Sequence, residues 1–182
     1  SIVSGPATIN ANTVTLTGAG TITVRASQAG DTNFDAAANV DQTFIVTKAN
    51  QTTTFGALTN KVFGDPPFAV NATASSSLPV SFSIVSGPAT ISGNTITLTG
   101  GGTVVVRASQ AGNADFNAAL SVDQPFVVNS PPAISAIPKQ TAVRDTTTSA
   151  IAFSISDAET AASSLVLTAS SANQTLVPNA NV

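Results

Sequence analysis

The chain has 182 residues, of which 42% are hydrophobic and only 8% charged, and its formal net charge is −3. It contains no Cys, His, Met, Trp or Tyr, which excludes disulfides and thiolate metal sites and removes the usual base–nucleophile pairs of enzymes. The six basic residues are scattered singly, so they form no stripe that would neutralise a nucleic-acid backbone, and no apolar run is long enough to span a membrane as a helix.

Residues 1–46 are repeated with small changes at residues 83–128. About 32 of the 46 positions are identical, at a constant offset of 82 and without a gap. A period of this length corresponds to one small domain, so the repeat indicates an array of domains rather than a single globule.

The repeated part alternates apolar and polar side chains at residues 13–17 and 21–27, which predicts two half-buried strands. The residues placed inward are Val14 and Leu16 in the first strand and Ile22, Val24 and Ala26 in the second. The second copy exchanges Val14 for Ile96 and Ile22 for Val104, which keeps these positions apolar. The sequence Gly-Ala-Gly at residues 18–20 predicts a hairpin turn between the two strands.

The stretch between the two copies completes one unit. It predicts a loop at residues 60–67, which two prolines stiffen. Strands are predicted at residues 52–55, 68–74, 80–85, 95–99, 103–109 and 122–128. About seven short strands in roughly 80 residues, without helical periodicity, are typical of an immunoglobulin-like sandwich. The predicted fold class is all-β, with tandem Ig-like antiparallel β-sandwich domains in an extended array.

The strand pattern places the domain boundaries outside the copied residues. Residues 49–129 are predicted to be a complete domain, and residues 1–48 the C-terminal half of a similar one. Residues 130–132 form a short proline-rich linker that limits backbone freedom. Residues 133–182 begin a different unit, with alternating strands predicted at residues 151–155 and 165–169.

Several short motifs in the first two units resemble the bacterial MBG repeat family. They are TFGAL at 54–58, VFGDPPF at 62–68, SGPAT at 86–90 and VRASQAG at 106–112. The resemblance covers residues 1–129 and implies a tandem domain of very large secreted or surface-attached bacterial proteins. This chain has Phe63 where the family usually has Tyr before Gly-Asp, and Phe116 where a Tyr is common.

Residues 133–182 resemble the start of a cadherin-like or Ig-like bacterial repeat. The resemblance rests on AFSISDAET at 152–160 and TLVPNAN at 175–181. Relatives often carry an acidic residue before Asp-Thr, where this chain has Arg144. Acidic groups bind calcium at the domain junctions of cadherin-like repeats, so Asp157 and Glu159, together with Asp145, are candidate calcium ligands. The alternative for these carboxylates is a solvated turn after a strand.

A second acidic cluster, at residues 31–35, has the oxygen spacing of a calcium loop. An EF-hand loop also needs Gly at its sixth position and Glu at its twelfth, where this chain has Ala36 and Gln42. The second copy keeps only one carboxylate, Asp115, in this loop. The pattern therefore favours a polar turn between strands.

Two charged pairs recur in the copies. Arg25 and Arg107 occupy one outward strand position, which favours a cross-strand partner or a solvated surface over a ligand site. Asp41 and Asp123 are equivalent to each other and are predicted to stabilise local turns. The only lysines that a self-made Lys–Asn cross-link could use, as in some surface adhesins, are Lys48, Lys61 and Lys139.

These features favour a structural spacer or stalk in an extracellular or cell-surface bacterial protein such as an adhesin or surface fibre, and not an enzyme. Its expected partners are neighbouring repeats of the same chain, without nucleic acid, membrane insertion or a required cofactor. One alternative is a self-assembling filament in which neighbouring chains supply strands to one another. A weaker alternative is a carbohydrate-binding module, although the chain lacks the Trp and Tyr that stack on sugar rings.

Overall fold

The computed structural model describes residues 1–141, 143, 150–170 and 172. These residues form short β-strands and one turn of 3-10 helix at Ala162–Ser164, and they contain no α-helix. The all-β prediction is confirmed, because the described strands pair into sheets in which every strand pair but one is antiparallel. No helix of the described residues could span a membrane.

The first segment, residues 1–46, contains five strands. They are β1 (Ile2–Ser4), β2 (Ala7–Asn10), β3 (Thr13–Leu16), β4 (Gly20–Ala26) and β5 (Val40–Val46). Strands β1, β4 and β5 form an antiparallel sheet in that order, and β2 and β3 form a separate antiparallel pair.

The central segment, residues 53–129, repeats this arrangement and adds four strands before it. The added strands are β6 (Thr53–Phe55), β7 (Lys61–Val62), β8 (Phe68–Ala69) and β9 (Ala72–Ala74). The repeated ones are β10 (Ser81–Ser86), β11 (Ala89–Ser92), β12 (Thr95–Leu98), β13 (Gly102–Ser109) and β14 (Val122–Asn129). They form one sheet in the order β10-β13-β14-β7, a second in the order β11-β12-β8, and a third from β6 and β9.

A single apolar core joins the three sheets of the central segment. The alternating pattern of β13 and β14 turns every second side chain inward, as expected for strands with one buried face. The buried core residues are Phe55, Val70, Ile96, Val104, Val106, Ala108, Phe126 and Val128. The inward positions predicted from the second copy are therefore buried, and all of the core cluster lies between residues 55 and 128.

The first segment has apolar residues at the same inward positions, but several of them are exposed. Ile22 is fully buried, as its counterpart Val104 is. Phe44, however, is 41% exposed, whereas its counterpart Phe126 is 2% exposed. The added strands of the central segment account for the difference, since they cover Phe126 and lie over no such face in the first segment.

Several predicted connections are wrong. Residues 18–20 are not a hairpin turn, because β3 and β4 belong to different sheets and the chain crosses between them. The predicted strand at residues 68–74 is broken at Val70, whose N–H donates to the carbonyl of Asn94 (2.9 Å) on the way from one sheet to another. Part of the loop predicted at residues 60–67 is strand β7, which pairs in parallel with β14.

The third segment, the described residues from 133 to 170, holds little regular structure. Strand β15 (Ala133–Ile134) pairs antiparallel with β16 (Ile155–Ser156). The predicted strands at residues 151–155 and 165–169 are wrong, except that Ile155 belongs to β16. A strand is defined by its backbone partners, and apolar alternation alone supplies none. Residues 144–149 and 173–182, with the motif predicted at 175–181, lie outside the described residues.

Candidate functional site at two junctions

The first junction brings a loop of the central segment onto a glycine-containing turn of the first segment. Asp115 lies in the loop at residues 113–117, and its Oδ1 accepts a hydrogen bond from the backbone N–H of Ala19 (2.8 Å). A Cβ atom added to Gly18 would lie 2.7 Å from the same oxygen. The turn therefore needs glycine at this position for the carboxylate to approach.

Further hydrogen bonds join the connecting residues 48–49 to the same loop. The N–H of Ala49 donates to the carbonyl of Asp115 (2.8 Å), and the N–H of Asn117 donates to the carbonyl of Ala49 (2.9 Å). The ammonium group of Lys48 donates to the carbonyl of Asn113 (2.6 Å). The chain that joins the two segments is thus bonded to the loop at consecutive residues and is not a free linker.

A side-chain acceptor shapes the loop itself. The Oδ1 atom of Asn113 accepts the backbone N–H groups of Asp115 (2.8 Å) and Phe116 (2.9 Å), which closes an Asx turn. In the first segment Asp31 accepts the N–H groups of Asn33 (2.8 Å) and Phe34 (2.9 Å) in the same way. The acidic cluster at residues 31–35 is therefore a polar turn, as the sequence favoured over a calcium loop.

Two buried glutamines form hydrogen bonds with the loop at residues 113–117 and with the residues next to it. The amide Nε2 of Gln51 donates to Oε1 of Gln110 (2.5 Å) and to the carbonyl of Asn117 (2.6 Å). The same oxygen of Gln110 accepts the N–H of Gly112, and the hydroxyl of Ser76 donates to Gln51. Because buried amides are costly when left unpaired, this network favours one loop conformation over others.

At the second junction, between the central and third segments, an acid again lies beside a glycine, but its hydrogen bonds go to a different position. Glu159 Oε2 accepts hydrogen bonds from the N–H and the hydroxyl of Ser130, both at 2.9 Å. A Cβ atom added to Gly101 would lie 2.6 Å from Glu159 Oε1. At the repeat offset of 82, Gly101 corresponds to Ala19 and Ser130 to Lys48. An acid of the following segment therefore lies at the equivalent turn in both junctions.

The candidate calcium ligands are occupied by protein hydrogen bonds. Asp157 Oδ1 accepts the N–H groups of Glu159 (3.0 Å) and Thr160 (2.6 Å), and Glu159 Oε2 is bonded to Ser130. Glu159 Oε1 is buried and has no hydrogen-bond partner. Within the described part of the chain no three acidic, His or Cys residues form a group that would hold a metal ion. Asp145 lies outside that part, so a calcium site that includes it stays a prediction.

Each recurring arginine forms a two-pronged ion pair with an aspartate across the sheet. Arg25 Nε and Nη2 donate to the two carboxylate oxygens of Asp41, both at 2.7 Å, and Arg107 donates to Asp123 at 2.7 and 2.8 Å. The cross-strand partner predicted for the arginines is confirmed. The turn role predicted for the aspartates is wrong, because each lies directly opposite its arginine in the strand register.

We expect the Asp123→Asn variant to be less stable than the parent at neutral pH, and the difference to shrink as the pH falls below about 4. The hydrogen bond from Arg107 lowers the pKa of Asp123 below its ordinary value of 3.8. A lowered pKa adds stability above the unfolded-state pKa, and this stability is lost as the pH falls through the folded-state pKa. Urea midpoints at pH 7 and pH 2.5 measure the effect. An offset of equal size at both values would contradict it.

Two of the three lysines considered for a cross-link contact groups other than a side-chain amide. The Lys48 amine contacts a backbone carbonyl, as described above, and the Lys61 amine lies 4.7 Å from the ring centroid of Phe68. Neither contact brings an amine to a side-chain amide. Lys139 is exposed.

One surface depression of the described residues has no side chain suited to catalysis. It lies between residues 71–72, 79–82 and 93–94. Its lining contains Asn, Ser, Ala, Pro, Val, Gly and Phe, and no titratable side chain. It offers neither a general acid or base nor a nucleophile with a partner.

Comparisons with protein families, with curated proteins and with solved structures find no match to this chain. The resemblances to MBG and cadherin-like repeats therefore stay predictions.

Proposed function

We propose that this chain is a spacer segment of a large repetitive bacterial protein, a stalk or surface fibre exposed outside the cell. The observation that carries the proposal is the repeated junction, in which an acid of one segment lies against a glycine-containing turn of the segment before it. A stalk needs successive units held at a fixed angle, and contacts of this kind support such a function. The proposal adds no catalytic or cofactor role.

The local connections support a stiff arrangement. Only a few residues, 47–52, join the first and central segments, and Ala49 is hydrogen-bonded on both sides to the loop at 113–117. Short, bonded connections transmit orientation, whereas flexible linkers of Gly and Ser do not. The extracellular location rests on the family resemblance and on a composition that is sparsely charged and free of thiols.

The proposal predicts that isolated molecules are elongated monomers. Electron microscopy and light scattering of the purified chain test it. Ordered polymers would favour the filament alternative. Compact particles, or particles whose segments vary in relative orientation, would contradict the spacer function.

A single side chain is expected to control the first junction. Replacing Asp115 by Ala removes the acceptor of the Ala19 N–H, so the distribution of distances between the first and central segments should broaden. The chain has no cysteine, so spin labels can be attached to Cys introduced at the exposed positions Thr43 and Ser83 and the distances measured by pulsed electron resonance.

The matched control for this experiment is Asn33→Ala. Asn33 is the counterpart of Asp115 in the first segment and is exposed. The control should leave the distance distribution unchanged, and both variants should melt near the parent temperature. An unaltered distribution in Asp115→Ala would show that this hydrogen bond does not set the orientation.

A further inference from the structure

The side chains of β12, β13 and β14 that point into the core form one apolar face of the central segment, the receiving face. Residues 55–74 cover it. The ring of Phe68 meets the ring of Phe126 edge-on, with centroids 5.7 Å apart. Phe55 and Val70 are buried in the same core. These contacts show what kind of segment the face accepts, namely an extended one with large apolar side chains at intervals.

Polar groups of the receiving face fix the register of the covering segment. The side-chain amide of Gln124 donates to the carbonyl of Phe55 (2.8 Å). The N–H of Val127 donates to the side chain of Asn60 (3.0 Å). Strand β7 also adds to the outer edge of β14, with Val128 opposite Lys61. Recognition thus combines apolar burial with an amide contact and strand addition at an edge.

The first segment carries the same receiving residues at an offset of 82. The counterparts of Phe126 and Gln124 are Phe44 and Gln42. The aliphatic residues around them are also alike in the two copies: Val14, Ile22, Val24 and Val46 correspond to Ile96, Val104, Val106 and Val128. A segment that fits one face therefore meets nearly the same side chains on the other.

The corresponding face of the first segment has exposed apolar side chains, and it lies next to strand edges without a partner strand among the described residues. Leu16 is 51% exposed and Val40 is 56% exposed, whereas their counterparts Leu98 and Val122 pack against the core. Among the described residues, β5 has β4 on one side and no strand on the other, and β3 pairs only with β2. An apolar face next to free strand edges marks an interaction site.

We propose that the face formed by Val14, Leu16, Val40, Phe44 and Val46 binds a polypeptide segment with the side-chain pattern of residues 49–82. The bound segment adds a strand to the free edge of β5 and another to the edge of β3, as β7 and β8 do in the central segment. Its aromatic residue equivalent to Phe68 covers Phe44, and Gln42 donates to its backbone. This inference does not depend on the spacer function.

The test uses the full chain and a synthetic peptide of residues 49–82 that carries a fluorescent label. Anisotropy titration is expected to give saturable binding of one peptide per chain. Amide signals of residues 13–16 and 40–46 should shift in a titration followed by NMR. A peptide of the same composition in scrambled order should not bind.

Two matched variants locate the binding site on β5. Phe44→Asp places a charge on the open face and is expected to weaken peptide binding at least about tenfold, the scale of losing one buried aromatic side chain. Ile45→Asp changes the neighbouring residue, which is 72% exposed and faces the other way, and should leave the affinity unchanged. A Phe55→Ala, Phe68→Ala peptide should bind more weakly to the parent chain.

Three results would overturn the proposal. The first is no binding at peptide concentrations where the parent chain stays folded. The second is equal loss of binding in Phe44→Asp and Ile45→Asp. The third is dimerisation of the chain through Phe44 without peptide binding, which would make a second copy of the same face the occupant.

Discussion

Replacing Phe126 by Ala is expected to lower the free energy of unfolding of the central segment by about 3–5 kcal/mol. Phe126 is 2% exposed, lies in the core cluster and meets the ring of Phe68 edge-on. Truncation removes this buried area and leaves a cavity that the packed strands β12–β14 fill only in part. Since small domains have a net stability of only about 5–15 kcal/mol, the loss should be visible as a large fall in the urea midpoint.

The matched control is Phe44→Ala, at the same position of the first copy. Phe44 is 41% exposed, so its truncation should cost well under the Phe126 value, about 1 kcal/mol or less. Unfolding is best followed by amide signals assigned to each segment, because the chain has no Trp or Tyr. Equal losses in both variants would mean that the first segment is covered as fully as the central one. In the presence of the peptide of residues 49–82, the cost of Phe44→Ala should rise towards that of Phe126→Ala.

The sequence predicts most strands of the copied part because their signal is local, although it misses β2 and its counterpart β11. In β13 the buried residues Val104, Val106 and Ala108 stand at every second position, and the residues between them are polar except Val105. The repeat adds a second reading of every position, which keeps errors small. The all-β class follows from these local patterns.

The pairing of strands into sheets depends on contacts far apart in the sequence and is less predictable. Residues 18–20 have the composition of a hairpin turn, yet β3 pairs with β2 and β4 pairs with β1 and β5. Asp123 has no local feature that identifies Arg107 as its partner, because the register of β13 and β14 decides the pairing. Alternation in the third segment predicted strands for which the described residues supply almost no partners.

The contacts at the two junctions could not be predicted from local sequence patterns, although the glycines in the turns were a partial indication. Gly18 and Gly101 lie one position apart in equivalent turns, and glycine in a turn permits close approach of another group. Which group approaches depends on how the following segment is placed. Asp115 and Glu159 share no motif and come from loops of unlike units, so only the structure brings them to the equivalent turn.

Replacing Gly87 by Ala is expected to destabilise the central segment by roughly 3 kcal/mol. Gly87 has a φ of +99°, a backbone conformation that residues with a side chain rarely adopt. A Cβ atom added to it would lie 2.3 Å from the carbonyl oxygen of Thr103. It would also lie 2.6 Å from Cα of Val104, so a core strand would have to move. The control is Gly93→Ala, with a φ of +61° and no atom within 4 Å of the added Cβ, for which we expect a loss of about 1 kcal/mol.

The position of Gly87 explains why this change should be severe. Residues 87–88 join β10, in the four-stranded sheet, to β11, in the three-stranded sheet, and the register of β10 against β13 shifts just before them. The chain turns from one layer to the other by passing directly over β13, which only a residue without a side chain permits. Gly5 has the same geometry, 2.3 Å from the carbonyl oxygen of Thr21. Thermal melts of Gly87→Ala and Gly93→Ala decide the point: similar losses would mean that β13 yields easily and that the corner does not need glycine.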